Sequence, residues 1–322
     1  MRLGYTAPVE GIPLGEHPSL AAFAAELGYT DCWSMEVAHS DGFLPIAVSA
    51  VGSDRLRYGT AIASVFARGP ALLATNAAQL AELAPGRFVL GIGTSSDIIV
   101  QRWNGISFEK PYTRLAETLD FLQAALAGER AGGFKLPAPP AAKVPIILGS
   151  MRPRALRLAG AKADGVTINL VPADALHQLL AHVQAGAREA GRDPAGLEVV
   201  QRVFVAVADN PAAAERLARR HVIAYAQVEV YRTFFHSIGI GEALEPAIVA
   251  FLEGRREEAL ELLPLEIVRQ LVLHGTWAEI AAAVEAHRAA GVTTPDLCFL
   301  IGPGEPADRA RLQREAMERL AP

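Results

Sequence analysis

Short apolar runs alternate with helical segments over the whole length of this chain, and this alternation limits the folds that are open to it. The run at residues 88–92 shows no apolar–polar alternation, which is typical of a parallel strand buried on both faces. Parallel strands require long crossover connections, so helices are expected between the runs. Eight runs predict strands, at residues 2–6, 30–36, 56–63, 88–92, 144–148, 165–170, 197–207 and 297–301.

Turn and capping residues mark the ends of the helical segments. Pro70 stands in the first turn of one segment, which Pro85 and Gly86 end. Thr276 and Glu279 have the spacing of a capping box at the start of another. The predicted helices therefore begin and end in the segments between the predicted strands.

Eight strands alternating with helices predict a closed (β/α)8 barrel, the TIM barrel, as a single domain over residues 1–322. An open, doubly wound sheet is the competing arrangement. Residues 211–274 are helix-rich and no strand is expected there, so they predict a helical insertion before the last strand.

Charge and cysteine content exclude several classes of protein. Lys and Arg total 30 against 35 acidic residues, and a net charge of -5 gives no general attraction to nucleic acid or anionic membranes. Cys32 and Cys298 lie too far apart in sequence for a zinc or redox motif, so we expect buried thiols and no metal site. No apolar stretch approaches the roughly 18 residues of a membrane span, and a cytoplasmic location is expected.

The chemistry of a TIM barrel lies at the carboxyl ends of its strands, which selects few positions. Glu36 ends the second predicted strand, and His39 lies in the loop behind it. A carboxylate and an imidazole there can bind substrate or transfer a proton. The alternative is a hydrogen-bonded interior carboxylate and an ordinary loop histidine.

The fourth strand ends in two glycines followed by Thr94 and Ser95, which offer donors to an anion or a ring edge. This segment is not a dinucleotide-binding fingerprint, because Ser96 stands where the third glycine is required. In the loop after this segment, Trp103 and Asn104 can line a cofactor or substrate, or simply pack.

The fifth strand leads into a glycine turn and a helix that begins near Pro153. Such a turn gathers unpaired N–H groups at the positive end of the helix dipole, and arginines add charge. The segment predicts a phosphate site, with an ordinary capped helix as the alternative. Its residues are Gly149, Ser150, Met151 and Arg152.

Several short strings, in this order and spacing, resemble the luciferase-like superfamily of bacterial luciferases and F420-dependent oxidoreductases. The resemblance covers the first 170 residues strongly and the rest loosely. The strings are Trp33-Ser34-Met35-Glu36, Arg57-Tyr58-Gly59-Thr60, Arg68-Gly69-Pro70, Pro85-Gly86-Arg87-Phe88, Leu90-Gly91-Ile92-Gly93-Thr94, Leu158-Ala159-Gly160 and Ala163-Asp164-Gly165.

The resemblance implies a TIM barrel with a cofactor ring against a bulge in the third strand and its phosphate near the fifth. It also implies a cis peptide at the bulge, which matching the strings places at Ala61–Ile62. The sequence departs from the family at one place. In many F420-dependent relatives, the acid after the second strand is followed directly by a histidine. Here Val37 follows Glu36, and His39 comes two positions later.

The function implied is hydride transfer between coenzyme F420 and a small organic substrate. The alternatives are an FMN-dependent monooxygenase of the same superfamily and a non-catalytic flavin-binding barrel. Relatives are often dimers, so a homodimer or a larger homo-oligomer is expected. Ala61 and Ile62, Thr94 and Ser95, and the turn at residues 149–152 are the expected cofactor contacts.

Overall fold

The computed structural model describes residues 1–38 and 40–322. In this part of the chain ten strands form one parallel sheet. They are β1 (Gly4–Ala7), β2 (Asp31–Ser34), β3 (Arg57–Thr60), β4 (Ala63–Ser64), β5 (Phe88–Gly93), β6 (Ile146–Gly149), β7 (Gly165–Asn169), β8 (Glu198–Val207), β9 (Val272–Leu273) and β10 (Thr294–Ile301).

The sheet closes on itself because β10 pairs with both β8 and β1. β3 and β4 are two halves of the third barrel strand, and both pair with β5. β9 adds a short pairing to β8. The result is a closed barrel of eight parallel strands, which confirms the predicted TIM barrel.

Thirteen α-helices in the described residues surround this barrel, and many begin with a proline in the first turn, where no intrahelical N–H bond is lost. None of them is long and apolar enough to cross a membrane. They are α1 (His17–Glu26), α2 (Leu44–Ala50), α3 (Pro70–Leu83), α4 (Pro111–Leu126), α5 (Pro153–Lys162), α6 (Leu176–Glu189), α7 (Pro211–Ala226), α8 (Glu229–Ser237), α9 (Gly241–Leu252), α10 (Arg256–Leu262), α11 (Leu265–Leu271), α12 (Trp277–Ala289) and α13 (Pro306–Arg319).

The structure confirms the capping box at Thr276 and corrects two strand predictions. Residues 211–274 contain five helices, as expected of an insertion. They also contain β9, which pairs with β8 and was not predicted because the local pattern is helical. The last strand begins at Thr294 rather than 297 and includes Pro295. A proline near the start of a strand is tolerated because few ladder hydrogen bonds are lost there.

The lower half of the barrel is filled and closed. Trp33 occupies its centre, since a β-carbon at Gly59 would come 2.3 Å from the indole ring. At the amino-terminal end Arg57 forms ion pairs with Asp31 and Glu198. The central buried layer consists of Trp33, Ala61, Val89, Ile147 and Val200. An active site is therefore expected at the carboxyl-terminal end of the barrel strands, the mouth of the barrel.

Candidate active site

The third barrel strand carries a bulge at residues 61–62, as the resemblance implied. Gly59 pairs with Val89 and Ala63 pairs with Ile92, so four steps along one strand oppose three along the other. One extra residue in a strand bends it and redirects a side chain. The Ala61–Ile62 peptide is cis, as expected.

The bulge places the side chain of Ile62 over two glycines at the ends of β5 and β6. A β-carbon at Gly149 would lie 2.5 Å from Ile62 Cγ2, and one at Gly93 would lie 3.0 Å from Ile62 Cγ1. Ile62 is half-buried, whereas Ala61 beneath it is buried. Ile62 thus forms a raised apolar surface at the mouth, built on strands whose last residues are glycines.

Hydrogen bonds from three directions hold the backbone of the bulge. Ala61 N donates to Ser34 O at 2.6 Å, and Glu36 N donates to Ile62 O at 3.2 Å. The guanidinium of Arg202, on the opposite side of the barrel, donates to Ala61 O. The bulge is therefore tied to neighbouring β2 and to distant β8.

Glu36 lies at the mouth and is held by both of its oxygens. Oε2 accepts from Ser64 N at 2.7 Å, and Oε1 accepts from Arg68 Nε at 2.6 Å. Arg68 also pairs with Asp41. Burial acts to lower the pKa of Arg68, but the hydrogen bonds and charges of Glu36 and Asp41 outweigh it and raise that pKa. His39, the second predicted catalytic residue, lies outside the described residues.

Thr94 and Ser95 come directly after β5 and are half-buried beside the bulge. Ser95 adopts a left-handed backbone conformation with φ 61°, which is uncommon for a residue other than glycine. Such conformations persist where the surrounding structure fixes them and occur often at ligand sites. A π-helical turn that the sequence did not predict, Ile98–Trp103, begins just beyond them.

The predicted phosphate turn comes after β6 at the same end of the barrel. Ser150 N donates to Thr167 O at 3.3 Å, and Ser150 Oγ accepts from Arg152 N at 3.1 Å. Helix α5 starts at Pro153, and among the described residues no side chain caps its amino terminus. Arg152 is exposed, while Arg154 stacks on Tyr112 with its guanidinium carbon 3.7 Å from the ring centroid.

Trp103 and Asn104 lie further out than the other predicted site residues. Trp103 is 53% exposed, and Asn104 Nδ2 donates to Ile99 O at 2.7 Å within its own turn. Their contact with a substrate therefore stays a prediction.

The insertion contributes an aromatic wall at the mouth. Tyr231 OH accepts from Asn169 Nδ2, at the end of β7, at 3.0 Å. His221 packs on Phe204 of β8 with ring centroids 4.2 Å apart, and burial lowers the pKa of His221 to about 3. Tyr225 lies between them, 4.7 Å from the Tyr231 ring. Helices α7 and α8 therefore border the site with uncharged groups.

Two buried ionisable residues of the upper barrel, Arg202 and Asp296, were not predicted from the sequence. Asp296 Oδ2 accepts from Thr6 Oγ1 at 2.8 Å, and complete burial raises the pKa of Asp296 to about 7. Arg202 was detectable, since it interrupts an apolar strand pattern at an inward position. Asp296 was missed because the predicted strand began one residue after it.

Clefts elsewhere on the molecule do not coincide with these residues. One is lined by Arg2, Arg55, Arg57 and Arg87, at the amino-terminal end of the barrel. Another lies along Val51 to Arg55, beside α1. We place the site at the mouth, because the strand ends there converge on the bulge and carry the uncapped helix.

A family model described as luciferase-like monooxygenase matches residues 1–294. Rv3520c of Mycobacterium tuberculosis, provisionally named coenzyme F420-dependent oxidoreductase, is 28% identical over 91% of this chain and 92% of its own length. A 5,10-methylenetetrahydromethanopterin reductase of Methanolobus tindarius is 30% identical, over 64% of this chain and 65% of its own.

The fold also matches solved structures. The coenzyme F420-dependent tetrahydromethanopterin reductase from Methanopyrus kandleri superposes with a TM-score of 0.76 at 20% identity. The match covers 100% of this chain and 98% of that one. Likeness at this identity establishes the barrel architecture.

Proposed function

This chain belongs to the luciferase-like family, and from that membership we propose that it is a coenzyme F420-dependent oxidoreductase. The reaction is hydride transfer between F420 and a small organic substrate. The names of the relatives support the choice of cofactor, as does the arrangement of the mouth.

One observation carries the proposal. Ile62 rises over Gly93 and Gly149, so the mouth has an apolar surface beside two neighbouring strands, β5 and β6, that end in glycine. A flat ring fits such a surface, and a β-carbon on either glycine would disturb it. The exposed Arg152 and the uncapped start of α5 suit the phosphate of a cofactor tail.

The residues of this chain bind, orient and exclude water, whereas F420, when bound, supplies the hydride chemistry. Ala61 and Ile62 support the ring, and Thr94 and Ser95 donate to its edge. Gly149, Ser150, Met151 and Arg152 hold the phosphate. Trp103 and Asn104 contact the substrate.

Glu36 contacts the ring or handles a proton in this proposal, and His39 is the second candidate. The Arg68 ion pair fixes the position of the Glu36 carboxyl group at the mouth. A carboxyl group held in this way can take part in general acid–base catalysis, and we assign Glu36 the role of base.

The experiment is anaerobic turnover with oxidised or reduced F420 and a panel of alcohols and carbonyl compounds. Change in F420 absorbance that requires both substrate and protein supports the proposal. The description of the family model as a monooxygenase favours FMN with oxygen as the second candidate. Oxygen consumption with reduced FMN, and no reaction of F420, would replace the first candidate by the second. Binding of either cofactor without turnover would favour a non-catalytic barrel.

We further propose that residues 1–322 form one domain that acts in the cytoplasm as a homodimer or a larger homo-oligomer. The partner is a small-molecule substrate, with no nucleic acid and no membrane. The net charge of -5 supports the expectation that neither nucleic acid nor an anionic membrane is a partner. Light scattering of the purified chain tests the oligomeric state.

A further inference from the structure

We propose that Arg202 is a positioning residue, which holds the bulge at residues 61–62 in the conformation that supports the cofactor. The inference rests on the proposed cofactor site. Arg202 acts through Ala61 and Ile62 and does not itself touch the ring.

The first support is the partner of its guanidinium. Arg202 is 7% exposed, lies in the middle of β8, and donates to the carbonyl of Ala61 across the barrel. Ala61 is itself 6% exposed, so water cannot easily replace this donor. A buried carbonyl left without a partner is costly, and the backbone would move to find one.

The second support is the residue bonded to that carbonyl. Ile62 is joined to it directly, and two of the Ile62 carbons lie against Gly93 and Gly149. Rotation of the Ala61 carbonyl away from Arg202 would carry the Ile62 side chain with it. The guanidinium thus controls the height and tilt of the apolar surface at the mouth.

Arg57, a half-buried arginine at the opposite end of the barrel, has different partners. Arg57 donates to two carboxylates, Asp31 and Glu198, as expected of a structural ion pair. Arg202 stands beside Asp296 in the strand register but makes no ion pair with it within the described residues. Arg202 Nε and Asp296 Oδ1 both lack a hydrogen-bond partner in the part of the chain that the structure describes.

The test measures the dissociation constants of F420 and FMN, by fluorescence, for variants of the intact protein. Removing Arg202 alone leaves Asp296 beside an apolar residue, so the variant is Arg202→Met with Asp296→Asn, and Asp296→Asn alone is its reference. We expect the dissociation constant of F420 to rise about tenfold or more between them. The matched control, Arg57→Met, lowers the melting temperature but changes that constant less than about twofold.

A double-mutant cycle with Ile62→Ala separates positioning from general damage. If Arg202 acts through Ile62, the two losses of affinity are not additive, and removing Arg202 in the Ile62→Ala protein costs less than about threefold. Additive losses, or unchanged affinity without Arg202, would overturn the inference while leaving the cofactor site in place. Should the unaltered protein bind FMN and not F420, the proposed cofactor fails, and the same cycle is measured with FMN.

Discussion

The Cγ2 methyl of Ile62 occupies the space that a side chain on Gly149 would need, since a β-carbon there would come within 2.5 Å of it. Gly149 ends β6 and Ile62 belongs to the bulge of the third barrel strand. The shape of the mouth therefore depends on a glycine in one strand and a displaced isoleucine in another.

Gly149→Ala is expected to weaken cofactor binding about tenfold or more, because the new methyl must push Ile62 off its present position. Isoleucine is β-branched and has few rotamers with which to avoid the contact. Fluorescence titration with F420 measures the effect. Adding Ile62→Ala to Gly149→Ala removes the clash and should recover the affinity of Ile62→Ala alone.

The matched control for this change is Gly196→Ala, where an added β-carbon meets nothing within 4 Å. Its affinity should stay within about twofold of the unaltered protein. Equal binding by Gly149→Ala and Gly196→Ala would mean that no ligand rests on this part of the mouth.

Glu36→Gln is expected to lower turnover about 10- to 100-fold, since glutamine keeps the acceptor for Ser64 N but cannot act as a base. The comparison is Asp41→Asn, which changes the other partner of Arg68 and keeps the acceptor for Phe43 N. Steady-state kinetics of both variants measure the difference. Equal activities of Glu36→Gln and the unaltered protein would leave Glu36 a purely structural anchor.

Arg152→Gln is expected to raise the dissociation constant of F420 about 3- to 10-fold and to reduce its dependence on salt, because an exposed cation near a phosphate is screened by ions. Arg157 lies within α5 and pairs with Glu189, so Arg157→Gln should change neither quantity. Titrations at low and high salt measure both. Identical behaviour of the two variants would mean that the phosphate does not bind at the start of α5.

The stability of the fold is expected to fall as the pH rises from about 4 to about 7, through Asp296. Burial raises the pKa of this carboxyl from 3.8 to about 7 in the folded protein. The unfolded chain then releases the proton first, so the contribution is complete below pH 4 and is lost as the pH passes 7. Asp296→Asn should remove a loss on the order of 2 kcal/mol between pH 5 and 8. Denaturant unfolding at both values measures it, and an unchanged pH slope in the variant would contradict this.

The barrel was predictable because its signals are local. Apolar runs such as residues 88–92 and stop signals such as Pro85-Gly86 act within a few residues of one another. β9 was not predictable, because Val272 and Leu273 come directly after a helix. They become a strand only by pairing with Phe204 and Val205. Tertiary pairing overrode the local preference there.

The positions of the bulge and of the glycine turn were predictable, but the hydrogen-bond partners of the residues around them were not. The glycine turn at residues 149–152 and the bulge lie where the sequence and the resemblance put them. The hydrogen bond from Arg202 to Ala61 joins positions 141 residues apart, and the pairing of Arg68 with Glu36 spans 32. Such contacts depend on the strand register and closure of the whole barrel, which no local pattern contains.

A parallel equilibrium titration of the purified, intact protein with F420 and with FMN decides which cofactor the mouth of the barrel holds. We expect saturable binding of F420 with a dissociation constant in the micromolar range or below, and no binding of FMN at comparable concentrations. Tight binding of FMN together with no response to F420 would contradict the assignment of F420 to this site.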